Sequence, residues 1–191
     1  MQVVKDMEGK QALFLDRDGV INVDYDYVSC PEQIEFVDGI FDLCRHARSL
    51  DYLIFVVTNQ SGIGRGYYTE DDFERLMNWM KKIFQDQDCP IAQVYFCPYH
   101  PTKGMGQYQR ESNWRKPKPG MILAAAEDFK LNLKTSVLVG DRSRDIEAGQ
   151  AAGVGCNLFY AQKTLPNLSV VPTAVVTNLS QVQIYLNLCY T

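Results

Sequence analysis

The sequence predicts an open α/β fold: a doubly wound parallel sheet with helices on both faces and no separate cap domain. Six apolar runs of strand length recur along the chain, amphipathic helical patterns lie between them, and polar residues suited to chemistry stand where the runs end. Parallel strands are buried on both faces and joined by crossovers, so near-continuous apolar runs alternating with helices are their signature.

The elements follow in order. "ALFLD" (12–16) opens the sheet, and "GIFDLCRHARSL" (39–50) is the first helical pattern. "YLIFVVTN" (52–59) is a second strand. In "TEDDFERLMNWMKKIFQDQ" (69–87), Thr69 is placed to cap the helix with Asp72 three residues on, and Phe73, Leu76, Met77, Met80, Ile83 and Phe84 recur at helical spacing. "AQVYFC" (92–97) is the third strand. "PGMILAAAEDFKL" (119–131) puts Pro119 in a first helical turn, and "TSVLVGD" (135–141) follows as a strand. "RDIEAGQAAG" (144–153) ends at a glycine suited to a C-terminal cap, and "GCNLFY" (155–160) and "TAVVT" (173–177) complete the strands.

A chain of 191 residues suits one domain over 1–191, and neither gap between the motif-bearing runs has room for a folded lid. The site should therefore be open, with loops 24–34 and 97–114 discriminating between substrates. A net charge of −4 makes no electrostatic case for nucleic acid or an anionic membrane, so the expected partner is a small molecule and the expected state a monomer. "MQVVKDMEGKQ" lacks the apolar core of a signal peptide, and no stretch approaches the roughly 18 apolar residues of a membrane span, so the reading is cytoplasmic. The six cysteines form no framework, and free buried thiols are expected.

In such sheets ligands bind beyond the carboxyl ends of the strands. There stand Asp16 and Asp18 after the first strand, Thr58, Asn59 and Gln60 after the second, and Asp141 after the fourth. An isolated Asp-x-Asp-Gly is a turn with a strand-end cap. With Asp141 on the same edge, however, three carboxylates repel unless a cation lies among them, and hard oxygen ligands suit Mg²⁺. A phosphate partner would need donors, which Thr58, Asn59, the glycine run of "TNQSGIGRG" and the basic "WRKPKPG" provide.

Asp16-x-Asp18-Gly19, Thr58-Asn59, Lys116 ahead of a helix, and Gly140-Asp141 with Asp145 a turn later occur in the order of the haloacid dehalogenase superfamily of phosphotransferases, which the chain resembles over roughly residues 11–160. The resemblance implies that Asp16 is the nucleophile forming an aspartyl-phosphate. Asp18 would be the general acid and base, its backbone carbonyl helping to hold Mg²⁺. Thr58 and Lys116 would stabilise the transferring phosphoryl group. Asp16, Asp18 and Asp141 would form the metal site, with Asp145 behind it orienting Lys116 or a metal-bound water. A receiver-like or phosphate-binding protein is the non-enzyme alternative. The receiver order of motifs is absent here, and a binding protein needs no acid/base carboxylate.

Fuller stretches, "FLDRDGVINVDYDYV", "TNQSGIGRGYYTEDDF", "CPYHP" and "RKPKPGM", resemble the heptose-bisphosphate phosphatases within that superfamily, with the histidinol-phosphate phosphatases as the nearest competitor. That implies substrate contacts at or near Asp24, Asn59, Gln60, Ser61, Arg115 and Arg142, with Arg115 recognising the sugar or its second phosphate. Members of these families often carry a structural zinc in the loop before the Arg-Lys pair. Here Tyr99 stands at the histidine position with His100 one late, and Ser112 and Trp114 replace the later cysteines. Cys97 and His100 alone do not make a zinc site, so no zinc is expected; Tyr108 and Trp114 are expected to hold the loop by packing.

Overall fold

The computed structural model describes residues 9–161 and 168–189; the opening residues read above as polar lie, up to Glu8, outside them. Strands β1 (Ala12–Leu15), β2 (Leu53–Asn59), β3 (Ile91–Cys97), β4 (Val137–Gly140), β5 (Cys156–Tyr160) and β6 (Ala174–Val176) form one sheet in the order β3-β2-β1-β4-β5-β6. Every pairing is parallel. All six expected strands are present.

The period of two along each strand divides the core between the two faces. Leu13, Leu15, Ile54, Val56, Val137 and Val139 face one side, which α1 (Ile40–Ser49), α3 (Glu70–Asp86) and α6 (Ser180–Cys189) cover with side chains such as Leu43, Phe73, Met80, Phe84, Val182 and Leu186. Ala12, Phe14, Phe55, Val57 and Leu138 face the other, covered by Met121, Ile122 and Ala125 of α4 (Gly120–Phe129) and by Ile146 and Ala148 of α5 (Ser143–Ala152). Among the described residues no separate cap domain stands over the sheet.

Local signals act as expected at most helix ends. The Thr69 hydroxyl accepts the Asp72 N–H at 3.1 Å while Asp72 accepts the Thr69 N–H at 2.8 Å, which satisfies two donors at the start of α3. Gly153 closes α5 at φ +84°, a backbone conformation that costs glycine little. Pro119 precedes the first helical residue of α4 and does not lie within its first turn. Two α-helices were not expected. The run Ser61–Gly64 is a single helical turn, α2, and α6 docks on α1 beside the sheet.

The register places the site. Leu15 pairs with Val56 of β2 and with Val139 of β4, so Asp16 emerges between the ends of those two strands. The strand order reverses between β1 and β4, where adjacent connections depart to opposite faces and leave a crevice.

Candidate active site

Asp16 and Asp141 flank that crevice, and Asp145 enters it from the first turn of α5. Oxygen atoms of the three carboxylates lie within 4.8 Å of one another, and Asp16 and Asp145 are buried. Among the described residues this is the one such cluster of potential metal ligands. Burial, then the charges of Asp16 and Asp145, push the Asp141 carboxyl up to about 7. Its Oδ1 is buried without a hydrogen-bond partner. Three carboxylates repelling one another around an unsatisfied oxygen are a donor set that fits a hard divalent cation, so Mg²⁺ suits the residues present.

Gly19 is part of the same construction. Its φ is +89°, and a Cβ there would lie 2.3 Å from Asp141 Oδ2. The glycine of the Asp-x-Asp-Gly turn thus lets the β1 loop close over the carboxylate that ends β4.

Lys116 supplies the countercharge. Its ammonium contacts Asp145 Oδ1 at 2.7 Å and Asp16 Oδ2 at 3.0 Å, and donates to the Val57 carbonyl at 2.7 Å. Burial opposes its charge, but Asp145 and Asp16 outweigh burial and hold its pKa above the usual lysine value. Asp16, which also accepts the Arg17 backbone N–H at 2.8 Å, is raised by burial with Lys116 pulling the other way. The Lys116 backbone is fixed by Asn59: Nδ2 donates to the Lys116 carbonyl and Oδ1 accepts its N–H, both at 3.0 Å. Asn59, expected as a substrate contact, thus also acts as the clamp that presents Lys116.

Asp18 lies outside the three-carboxylate cluster. Arg17 Nε and Nη2 donate to its Oδ1 at 3.0 and 2.8 Å, Nη2 reaches its Oδ2 at 2.8 Å, and Asn22 and Gln60 donate from 3.1 and 3.2 Å. Gln60 is buried, donating also to the Thr58 hydroxyl at 2.8 Å and accepting from the Tyr68 hydroxyl at 2.5 Å. It joins Thr58 to Asp18.

The glycine run is not the simple N–H cradle expected of it. In and just after α2 the amides of Ile63, Arg65, Gly66 and Tyr67 bond to backbone carbonyls. Space explains two of its glycines, since a Cβ on Gly62 would meet the Tyr68 ring at 2.3 Å and one on Gly64 the Pro98 carbonyl at 2.5 Å. Ser61 still lines the cleft.

The cleft above the carboxylates has a volume of about 330 Å³. Asp24, Asp26 and Tyr27 border it from the first loop, His100 and Arg115 from the second. Arg142 joins the edge to the floor, donating to Asp24 at 3.1 Å and pairing with Asp141 at 3.2 Å. Arg65 and Arg144, not expected from sequence, add positive charge to the wall. Arg65 also stacks on Tyr27, which meets Tyr67 edge-on. Arg17, fully buried between the two aspartates, was likewise missed as a functional residue. For Arg65 the available signal was an arginine between two glycines; for Arg17 it was a charge at the end of an apolar run.

In the loop before Lys116, Cys97 Sγ lies 4.0 Å from the Tyr99 carbonyl, and His100 Nδ1 accepts the N–H groups of Thr102 and Lys103 at 3.3 and 3.1 Å. Burial, then Arg115 and Arg65, lower the His100 pKa, and burial raises that of Cys97. The Arg110 guanidinium sits 3.8 Å above the Tyr99 ring, which packs on Tyr108, and Trp114 packs on Tyr95. The Tyr108 hydroxyl donates to Glu70 at 2.7 Å. The Tyr99 carbonyl accepts from Arg115 at 3.1 Å, so the stack holds the arginine toward the cleft.

A family profile described as HAD-hydrolase-like matches residues 113–182. D-glycero-alpha-D-manno-heptose-1,7-bisphosphate 7-phosphatase of Burkholderia mallei is 55% identical over 168 residues, 88% of this chain and 89% of that one. The D-glycero-beta-D-manno-heptose-1,7-bisphosphate 7-phosphatase of Vibrio cholerae is 44% identical over 150 residues, 78% of this chain and 81% of that one. Among solved structures, the D,D-heptose 1.7-bisphosphate phosphatase of B. bronchiseptica, complexed with magnesium and phosphate, superposes with a TM-score of 0.77 at 26% identity, covering 93% of this chain and 98% of that one.

Proposed function

The chain belongs to the D-glycero-D-manno-heptose-1,7-bisphosphate 7-phosphatase family of haloacid-dehalogenase-like hydrolases, and we propose that it removes the 7-phosphate of that bisphosphate during nucleotide-activated heptose synthesis. The observation that carries the reading is one strand-end crevice in which three carboxylates, two of them paired with a buried lysine, lie beside an arginine-lined cleft.

In this reading Asp16 attacks phosphorus, forming a P–O bond to its carboxylate as the P–O bond to the sugar breaks. Asp18 gives its proton to the leaving sugar oxygen. It then takes one from the water that hydrolyses the aspartyl-phosphate. Lys116 and the Thr58 hydroxyl stabilise the transferring oxygens, and Asp145 holds Lys116. Asp16, Asp141 and the Asp18 backbone carbonyl are the residues that would hold Mg²⁺, with Asp145 beside them. The bound ion would neutralise charge developing on the phosphoryl group. Arg115, with Arg65 and Arg142 nearby, suits the phosphate that remains on the sugar, and Asp24 and Ser61 suit its hydroxyls. No zinc enters the reading, since the ring stack occupies the loop's anchoring role. Residues 1–191 are taken as one cytoplasmic, monomeric phosphatase domain.

The higher identity to the relative named for the alpha anomer, 55% against 44% for the relative named for the beta anomer, favours the alpha bisphosphate. The test is phosphate release with Mg²⁺ from both anomers, histidinol phosphate and fructose 1,6-bisphosphate, with zinc assayed on the same preparation. A kcat/KM for the alpha anomer well above the other three, absent after Asp16→Asn in a folded protein, is the expected result. Substantial turnover in Asp16→Asn would overturn the mechanism, and a histidinol phosphate preference would overturn the substrate.

A further inference from the structure

Arg17 stands between the two catalytic aspartates, yet no step above uses it. Its side chain is 0% exposed, and its Nη1 is buried without a hydrogen-bond partner. Taking a guanidinium out of water is costly, and an apolar side chain of similar volume would fill the end of a buried strand at lower cost. What the arginine adds is its fork. Nε and Nη2 grip Asp18 Oδ1, Nη2 also contacts Oδ2, and the same Nη2 donates to the Val28 carbonyl at 2.8 Å. The guanidinium lies 5.7 Å from the centroid of the Phe73 ring, so α3 backs it.

The two oxygens of Asp18 are held unequally. Oδ1 accepts from Arg17 Nε, Arg17 Nη2 and Asn22 Nδ2; Oδ2 shares Nη2 and takes the longest contact of the set, Gln60 at 3.2 Å. We infer that Arg17 is a positioning residue for the general acid. It pins Oδ1 so that Oδ2 carries the proton and meets the leaving oxygen, and through Val28 it ties that alignment to the loop that borders the substrate. In the step it serves, the Oδ2–H bond breaks and the new O–H bond forms on the sugar oxygen released from phosphorus. The inference rests on Asp18 being the acid.

A leaving group that needs no proton separates positioning from structure. The readout is the first turnover, leaving-group release before the aspartyl-phosphate hydrolyses, because the later step uses Asp18 as a base with either substrate. Release of the sugar alcohol needs the acid, whereas p-nitrophenyl phosphate releases a stabilised phenolate and does not. Arg17→Lys keeps the charge without the fork, and Arg17→Gln removes both. Each is expected to slow first-turnover release from the heptose bisphosphate roughly 100-fold and that from p-nitrophenyl phosphate less than about 5-fold, a general acid being worth about 10²–10⁴. Asp18→Ala is measured alongside and should show the same selectivity more strongly. If Asp18→Ala is selective and the Arg17 variants lose both substrates equally, the inference is overturned and the acid assignment stands. If Asp18→Ala loses both equally, the acid assignment falls and takes the inference with it. Should neither Arg17 variant fold, Phe73→Leu, which loosens the ring behind the guanidinium, decides in the same way: selective loss supports the inference, and equal loss overturns it.

Discussion

Replacing Asp141 by asparagine should destroy phosphatase activity and at the same time stabilise the metal-free protein. The Asp141 carboxyl moves from 3.8 to about 7 through burial and the charges of Asp16 and Asp145. Holding the carboxyl at about 7 in place of 3.8 corresponds to about 4 kcal/mol. Between those two values the folded protein holds a proton that the unfolded chain has lost, so raising the pH from about 4 to about 7 costs the metal-free fold stability. The side chain is 15% exposed, and water at that edge with local relaxation leaves about 2–4 kcal/mol. That figure already contains the opposing pull of Arg142, which is 53% exposed. Asparagine has nearly the same shape and no charge. Thermal melting of chelator-treated protein across the pH range should therefore show Asp141→Asn roughly 4–15 °C above wild type at alkaline pH. The two should converge near pH 4, and excess Mg²⁺ should raise the wild type alone. Coincident melting curves at every pH would refute the argument that the fold stores repulsion among these carboxylates.

Other perturbations follow from the same geometry. Asn59→Ala removes both bonds to the Lys116 backbone and should lower kcat by about 10²-fold with a small loss of melting temperature, measured on the bisphosphate and by calorimetry. Gly19→Ala meets Asp141 Oδ2 at 2.3 Å from a positive-φ residue, so it should lose at least about 2 kcal/mol in denaturant titration and bind Mg²⁺ more weakly by calorimetric titration. Tyr99→Ala removes the ring beneath Arg110 and should raise KM for the bisphosphate by about 10-fold through Arg115, leaving p-nitrophenyl phosphate turnover within about 2-fold.

The strands were legible in the sequence because β1, β2, β4 and β5, buried on both faces, are apolar over most of their length. The site residues legible there end those strands: Asp16, Thr58 and Asp141 are polar where an apolar run stops. Helix α6 was not legible. In "SQVQIYLNLC" only Val182 and Leu186 are buried, and the other apolar side chains blur the period. Arg17 was visible as an anomaly and opaque as a function, since its partners Asp18, Val28 and Phe73 meet only when α3 closes over the β1 loop. Asn59 was assigned to the substrate because chain proximity gives no hint of a partner 57 residues away.

The loop that carries Arg115 is fastened by rings, a guanidinium and a tyrosine hydroxyl on Glu70. A fastening made of side chains is complete as soon as the chain has folded. If the loop binds no zinc, as proposed, this fastening asks nothing of the supply of a scarce transition metal. Its weakness lies elsewhere, in heat and in any chemistry that attacks tyrosine or tryptophan. The placing of Arg115 by this loop is thus tied to the integrity of four aromatic rings and one arginine.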